Sequence, residues 1–250
     1  MRLTILGSGN AAGMPVYGCN CVRCNTVSND SKLQRGPACA LLEVDNKQYL
    51  IDAGLTGIRE RYPAGNLNGI FVTHFHADHV QGLFDLRWGK NLTIPVYCPP
   101  DSNGCDDLYK HPGILEFNQL KKFNSFNLES LQVTPLPLIH SKVTFGYVFE
   151  CNNKRIAYLT DTKGLPPKTI DYFERNPLEL LVIDTSYPPG IENSGHNNLD
   201  ETLLIQQQVK SKRTVLTHIS HGFDIWLSEN TNSLPDSVIA GYDGLTAYPC

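Results

Sequence analysis

No stretch of the chain limits its fold and chemistry as sharply as Thr73-His74-Phe75-His76-Ala77-Asp78-His79, which sets three imidazoles and a carboxylate within six consecutive residues. Upstream, Gly69-Ile70-Phe71-Val72 is a short apolar, β-branched run that reads as a buried strand. Downstream, Val80 to Trp88 spaces its apolar residues as a helix does. The motif therefore occupies the turn between a strand's end and a helix's start. From there His74 and His76 project to one side, and Asp78 and His79 are carried past them. Four ligating groups so close together suit two adjacent cations better than one. Imidazole is a borderline ligand and carboxylate a hard one, a set that suits Zn, Mn, Fe or Ni. The alternative is a solvated loop that happens to be rich in histidine.

The rest of the chain is ordinary enough to exclude several classes. Its 250 residues can bury a sizeable core, and 41% hydrophobic with 18% charged residues is globular composition. A net charge of −4 gives no general attraction to nucleic acid or to an anionic membrane. The opening residues 1–9 are too short in their apolar part for a signal peptide, and no run approaches a membrane span. We therefore expect a cytoplasmic protein, without repeats or a domain linker, folding as one domain over residues 1–250. In that compartment disulfides are rare and clustered cysteines more often hold metal.

Eight cysteines are present, and three of them form the cluster Cys19-x-Cys21-x-x-Cys24. That spacing predicts a structural zinc loop over residues 18–24, which still needs a fourth ligand. Cys39, Cys98, Cys105, Cys151 and Cys250 each stand alone as possibilities. Before the cluster, residues 3–6 read as a strand leading into the turn Gly7-Ser8-Gly9-Asn10; no Gly-Lys-Ser/Thr follows, so it is not a P-loop. Residues 38–44 and 48–52 read as a hairpin ending at Asp52, and Asp52 could cap a helix. Strands are expected at 95–98, 131–134, 144–149, 155–159, 180–183 and 215–217, and helices from 106, from 166 to about 175, and over 199–209. Three polar groups follow apolar runs in this region: His140 after Pro137-Leu138-Ile139, Asp161 after the strand 155–159, and His218 after the strand 215–217. His196 lies in the polar loop 188–198, and His111, before Pro112, reads as a surface or rim residue.

His74-x-His76-x-Asp78-His79 resembles the signature of the metallo-β-lactamase superfamily. The resemblance implies an αββα sandwich of two mixed β-sheets flanked by helices. Carried over by position, it assigns His74, His76 and His140 to one divalent cation, Asp78, His79 and His218 to a second, and Asp161 as the bridge. Asp52 would then orient a ligating histidine. Two adjacent cations acidify water and neutralise charge that builds up at phosphorus. An Asp-His-His second site, without cysteine, is similar to the phosphodiesterase and thioester-hydrolase branches. Together with the Cys19, Cys21 and Cys24 cluster, His218-x-x-His221 is similar to the cyclic phosphodiesterases of the carbon–phosphorus lyase pathway. This implies hydrolysis of 5-phosphoribosyl 1,2-cyclic phosphate to ribose 1,5-bisphosphate, with side activity on 2′,3′-cyclic nucleotides. It also implies Mn, Zn or Ni in the active site, with Asp78 and His196 as catalytic residues. His196 would be the general acid. His221, at the start of a helix and three residues past His218, becomes the strongest fourth ligand for the structural zinc. Lys142, Arg87 and Lys163 are the available cations for a substrate's second phosphate. The expected partner is a small cyclic phosphodiester, not nucleic acid or membrane, and a homodimer is open. Two other members of the superfamily provide alternatives: an RNA 3′-processing nuclease and a non-catalytic carrier of quinone-cofactor biosynthesis.

Overall fold

The computed structural model describes residues 1–249, so Cys250 lies outside the described residues. Six strands of the first half are β1 (Arg2–Gly7), β2 (Cys39–Val44), β3 (Lys47–Ile51), β4 (Gly69–Phe71), β5 (Ile94–Cys98) and β6 (Leu115–Gln119). The second half contributes β7 (Phe126–Leu128), β8 (Leu131–Pro137), β9 (Phe145–Cys151), β10 (Lys154–Leu159), β11 (Leu180–Asp184), β12 (Arg213–Thr217) and β13 (Val238–Ala240). A final strand, β14 (Thr246–Ala247), returns to the first sheet. Two seven-stranded sheets result, in the orders β14-β1-β2-β3-β4-β5-β6 and β13-β12-β11-β10-β9-β8-β7. Each sheet has three antiparallel pairings followed by three parallel ones. The two halves thus share a layout that leaves no repeat in the sequence.

Burial explains the layering. Leu3, Ile5, Leu42, Ile51 and Phe71 of the first sheet meet Val133, Tyr147, Phe149, Tyr158 and Val182 of the second in one core. Sheet faces packed this way exclude water from both sets of inner side chains. The outer face of the second sheet packs Leu159, Leu181 and Ile183 against Phe173, Ile205 and Val209 of helices Pro167–Arg175 and Leu199–Val209. A second outer cluster places Leu50, Ile70 and Val96 against Ile58, Val80 and Leu83. The arrangement is the expected αββα sandwich, and β11 is apolar throughout because both its faces are covered.

Most expected elements form close to their predicted bounds, with one instructive exception. The helix read over 80–88 is two short pieces, Ala77–Val80 and Leu83–Leu86. Gly82 interrupts it by donating its amide to the Ala53 carbonyl at 2.8 Å, which ties the motif to the end of β3. Strands β6, β13 and β14 lie outside the expected set; β14 has only two residues, too few for any period to register.

Candidate active site

Polar groups gather where strands end. Asp52 follows β3, the His74–His79 motif follows β4, His140 follows β8, Asp161 follows β10 and His218 follows β12. Loops at the carboxyl ends of strands are the usual place for a site in such sheets. Here those ends from both sheets converge on one cleft of about 330 Å³, whose lining includes His76, Asp78, His140, Asp161, His196 and His218. A separate apolar cavity of about 200 Å³, lined by Tyr62, Leu86, Trp88 and Ile114 among others, contains none of these groups.

Within the cleft, donor atoms face one another. His76 Nδ1 stands 2.8 Å from His74 Nε2 and 3.2 Å from His140 Nε2. Asp161 Oδ2 lies 3.2 Å from His218 Nε2, 3.5 Å from His79 Nε2, and 3.8 Å from both His74 Nε2 and His140 Nε2. Asp78 Oδ2 is 3.4 Å from His79 Nε2. One carboxylate oxygen therefore sits between two sets of three donors.

The far sides of the rings are fixed. Asp52 is fully buried; its Oδ2 accepts from His79 Nδ1 at 2.7 Å and from the Thr73 hydroxyl at 2.8 Å. That hydroxyl in turn stands 3.0 Å from His74 Nδ1. Asp52 thus fixes the ring of His79, and does not cap a helix. Asp184 Oδ2 accepts from His196 Nδ1 at 2.7 Å, and Ser186 Oγ bonds both Asp184 Oδ1 and His218 Nδ1 at 2.8 Å. Carboxylate and hydroxyl partners of this kind set the tautomer of a metal-ligating imidazole. Asp52 and His218 both take left-handed φ of +59°, a conformation that costs a non-glycine residue about 1–2 kcal/mol.

Electrostatics follow from burial and these neighbours. Burial pushes His74 well below the ordinary imidazole value, and His79 adds to the effect. Burial opposes charge on His79, yet Asp52 and Asp161 outweigh it and hold that imidazole well above its usual value. Asp161 is held well below the carboxylate range, because His218 and His79 overcome the effect of burial. Burial would lower His196 too, but its bond to Asp184 raises it.

The donor set fits divalent cations. His79 Nε2 and His218 Nε2 are buried with no hydrogen-bond partner, while the opposite nitrogen of each ring is engaged. Unpartnered ring nitrogens buried beside a carboxylate are what a cation would satisfy, taking the place of any proton there. Every residue of the expected series is therefore brought together. Asp184 and Ser186 had no distinguishing signal, since a carboxylate closing an apolar strand reads as a turn residue.

A second cluster joins distant segments. Cys21, Cys24 and Cys19 place Sγ at 3.3, 3.5 and 3.9 Å from His221 Nε2. His221 begins helix His221–Glu229, so it points towards the amino-terminal loop while His218 faces the cleft. The Cys24 amide and His221 bring the Cys21 thiol down to about 6. Cys39, Cys98 and Cys151 are buried elsewhere, and among the described residues none joins this group.

Lys142, Arg87 and Lys163 are not among the residues that line the cleft. Among the described residues no lysine or arginine lines it. Arg87 pairs with Asp107 at 2.6 Å and Lys163 with Glu201 at 2.5 Å, which engages both cations elsewhere. Lys142 follows Ser141 of the lining but is not part of it.

A family model described as a beta-lactamase superfamily domain matches residues 47–219, more than half of the chain. The chain belongs to that superfamily. Its fold is thereby one that binds divalent metal and supports hydrolysis. A solved diphosphatase of the PhnP family superposes with a TM-score of 0.83 at 28% identity, covering 99% of this chain and 97% of that one. The short form of human tRNase Z gives 0.72 at 20% identity over the full length of both chains, a likeness of fold alone. An octanoyltransferase of Porphyromonas gingivalis is 29% identical over 99% of this chain and 51% of its own. The chain spans about half the length of that relative. Among the described residues no helix is long and apolar enough to cross a membrane.

Proposed function

We propose that this protein is a two-metal phosphodiesterase that opens small cyclic phosphodiesters. The observation that carries the reading is the pair of donor sets on either side of Asp161: His74, His76 and His140, and Asp78, His79 and His218. Asp161 would bridge, and Mn, Zn or Ni fits the oxygen and nitrogen donors. When bound, such cations supply an activated water and neutralise charge at phosphorus.

The remaining work falls to the chain. Asp52, Thr73 and Ser186 hold the ligating rings so that their free nitrogens face the cleft. His196, with Nδ1 bound to Asp184, keeps Nε2 as a donor on the cleft side. As the ring P–O bond breaks, that imidazolium gives its proton to the departing alkoxide oxygen. The cluster of Cys19, Cys21, Cys24 and His221 would hold one structural zinc.

The resemblance implies 5-phosphoribosyl 1,2-cyclic phosphate as substrate. The lack of lysine and arginine in the described lining favours a second reading, a cyclic ester whose remaining part is neutral, such as a 2′,3′-cyclic nucleotide. A chain of net charge −4 has little grip for RNA, and a carrier would not need a complete donor series. Phosphorus NMR of the metal-loaded protein with each ester decides. Conversion of either to a monoester resonance is expected, and the more efficient one names the substrate. No conversion of either would refute the function.

A further inference from the structure

We propose that the carboxylate of Asp184 is a shared positioning group, setting the general acid and a metal ligand from one buried point. The inference rests on the phosphodiesterase reading above, in which His196 is the acid. Asp184 is fully buried at the end of β11. A carboxylate there is costly unless donors surround it. Three do. The Thr162 amide donates to Oδ2 at 2.9 Å, His196 Nδ1 to the same oxygen at 2.7 Å, and the Ser186 hydroxyl to Oδ1 at 2.8 Å.

Each donor leads to a different part of the site. Thr162 is the neighbour of Asp161, so its amide fixes the loop that presents the central carboxylate. Through Ser186 the other branch reaches His218. The hydroxyl has one proton and two acceptors in reach, Asp184 Oδ1 at 2.8 Å and the His218 carbonyl at 2.9 Å. The charged carboxylate is the stronger acceptor, and giving it the proton leaves a lone pair to accept from His218 Nδ1 at 2.8 Å. That relay keeps the His218 proton on Nδ1 and leaves Nε2 free to face Asp161 at 3.2 Å. The third branch is His196 itself, whose ring stacks on that of His218 with centroids 4.7 Å apart.

The molecule uses the same device a second time. Asp52 binds His79 directly and reaches His74 through the hydroxyl of Thr73. In both places one carboxylate holds one imidazole directly and a second through a single hydroxyl. The difference lies in what is held. Asp52 serves two members of the donor series, whereas Asp184 serves one member and the acid. Proton delivery and metal binding therefore share one support, the carboxylate of Asp184, while His196 and His218 hang from it by separate branches.

Three variants separate the branches: Ser186→Ala, His196→Ala and Asp184→Asn, all as the full chain. Two readouts are taken. One is Mn²⁺ and Zn²⁺ affinity by calorimetric titration of metal-stripped protein; the other is the ratio of kcat on bis(p-nitrophenyl) phosphate to kcat on a 2′,3′-cyclic nucleotide. The p-nitrophenolate leaving group needs little protonation, so loss of the acid raises this ratio. Ser186→Ala should weaken metal binding about 10-fold or more, with the ratio unchanged. His196→Ala should raise the ratio at least 10-fold and leave affinity unchanged. Asp184→Asn should do both. A variant of Asp184 that alters only one readout, or only the melting temperature, overturns the shared role. If Asp184→Asn does not fold, Ser186→Ala still decides, because unchanged metal affinity there removes the His218 branch. If wild type cleaves neither ester, the phosphodiesterase reading fails, while the affinity measurement still tests the Ser186 relay without any turnover.

Discussion

At the scale of single residues, Asp161 and Gly54 have the most to lose. Asp161 Oδ2 lies between both donor sets, so on the proposed two-metal reading Asp161→Ala would leave two cations repelling each other without a shared carboxylate. Elemental analysis should find at least one active-site metal lost, along with most turnover; retention of both metals with normal rate would contradict the bridge. Gly54 acts through space alone. A Cβ there would come within 2.1 Å of the Asp78 carbonyl oxygen, a backbone atom that cannot yield without moving the motif. Gly54→Ala should cost about 2 kcal/mol of stability and reduce activity by displacing Asp78 and His79. Denaturant melts beside steady-state rates check it, and a silent substitution would mean that the loop is more compliant than its packing suggests.

At the scale of elements, the cysteine loop is fastened twice to helix His221–Glu229. His221 faces the thiols, and one turn later Asp224 bonds Arg23 at 2.6 Å and Arg35 at 2.8 Å. His221→Ala should remove one zinc per chain and lower the melting temperature; an unchanged zinc count would transfer the ligand role to a lone cysteine. Burial alone would raise Asp224, but Arg23 and Arg35 hold it below the ordinary carboxylate range. A carboxyl depressed on folding contributes stability above its unfolded value and loses it as pH falls through the folded one. Asp224→Asn should therefore cost roughly 2 kcal/mol at neutral pH, with the deficit shrinking towards acid. Melts across that range measure it, and a deficit independent of pH would exclude the ionic origin. Part of this fastening was legible in the sequence: three cysteines in six residues announce a cluster of soft donors, and a histidine three past a strand-end histidine can turn towards it. Arg35 and Asp224 were not legible, because nothing local marks two charges 189 residues apart as partners.

At the scale of the whole molecule, the ligand series comes from both sheets, so filling the site braces one against the other. Ligands that bind only the folded state stabilise it by mass action, about 2.7 kcal/mol at a hundred-fold excess over Kd. Chelation should lower the melting temperature reversibly, and added Zn²⁺ or Mn²⁺ should restore it; an unaltered transition would mean that neither metal cluster supports the fold. The sequence motifs made the sandwich and its donors legible because each donor follows an apolar run. They concealed the matched pairing order of the sheets, which is a property of backbone register and leaves side chains free to diverge. Asp184 and Ser186 stayed hidden for a related reason, since their meaning lies in what is brought beside them.

The thiol cluster and His221 are separated by about 200 positions, from Cys24 to His221 being 197. A ribosome adds 5–20 residues per second, so this interval is on the order of 10–40 s. Throughout it the nascent chain carries three exposed thiols before their imidazole partner exists. Under the structural-zinc proposal, a metal captured early would lack its imidazole ligand until His221 is made. Biogenesis of this protein is therefore most vulnerable to oxidants and to thiol-seeking metals during synthesis, and the completed molecule is better shielded than the chain from which it forms.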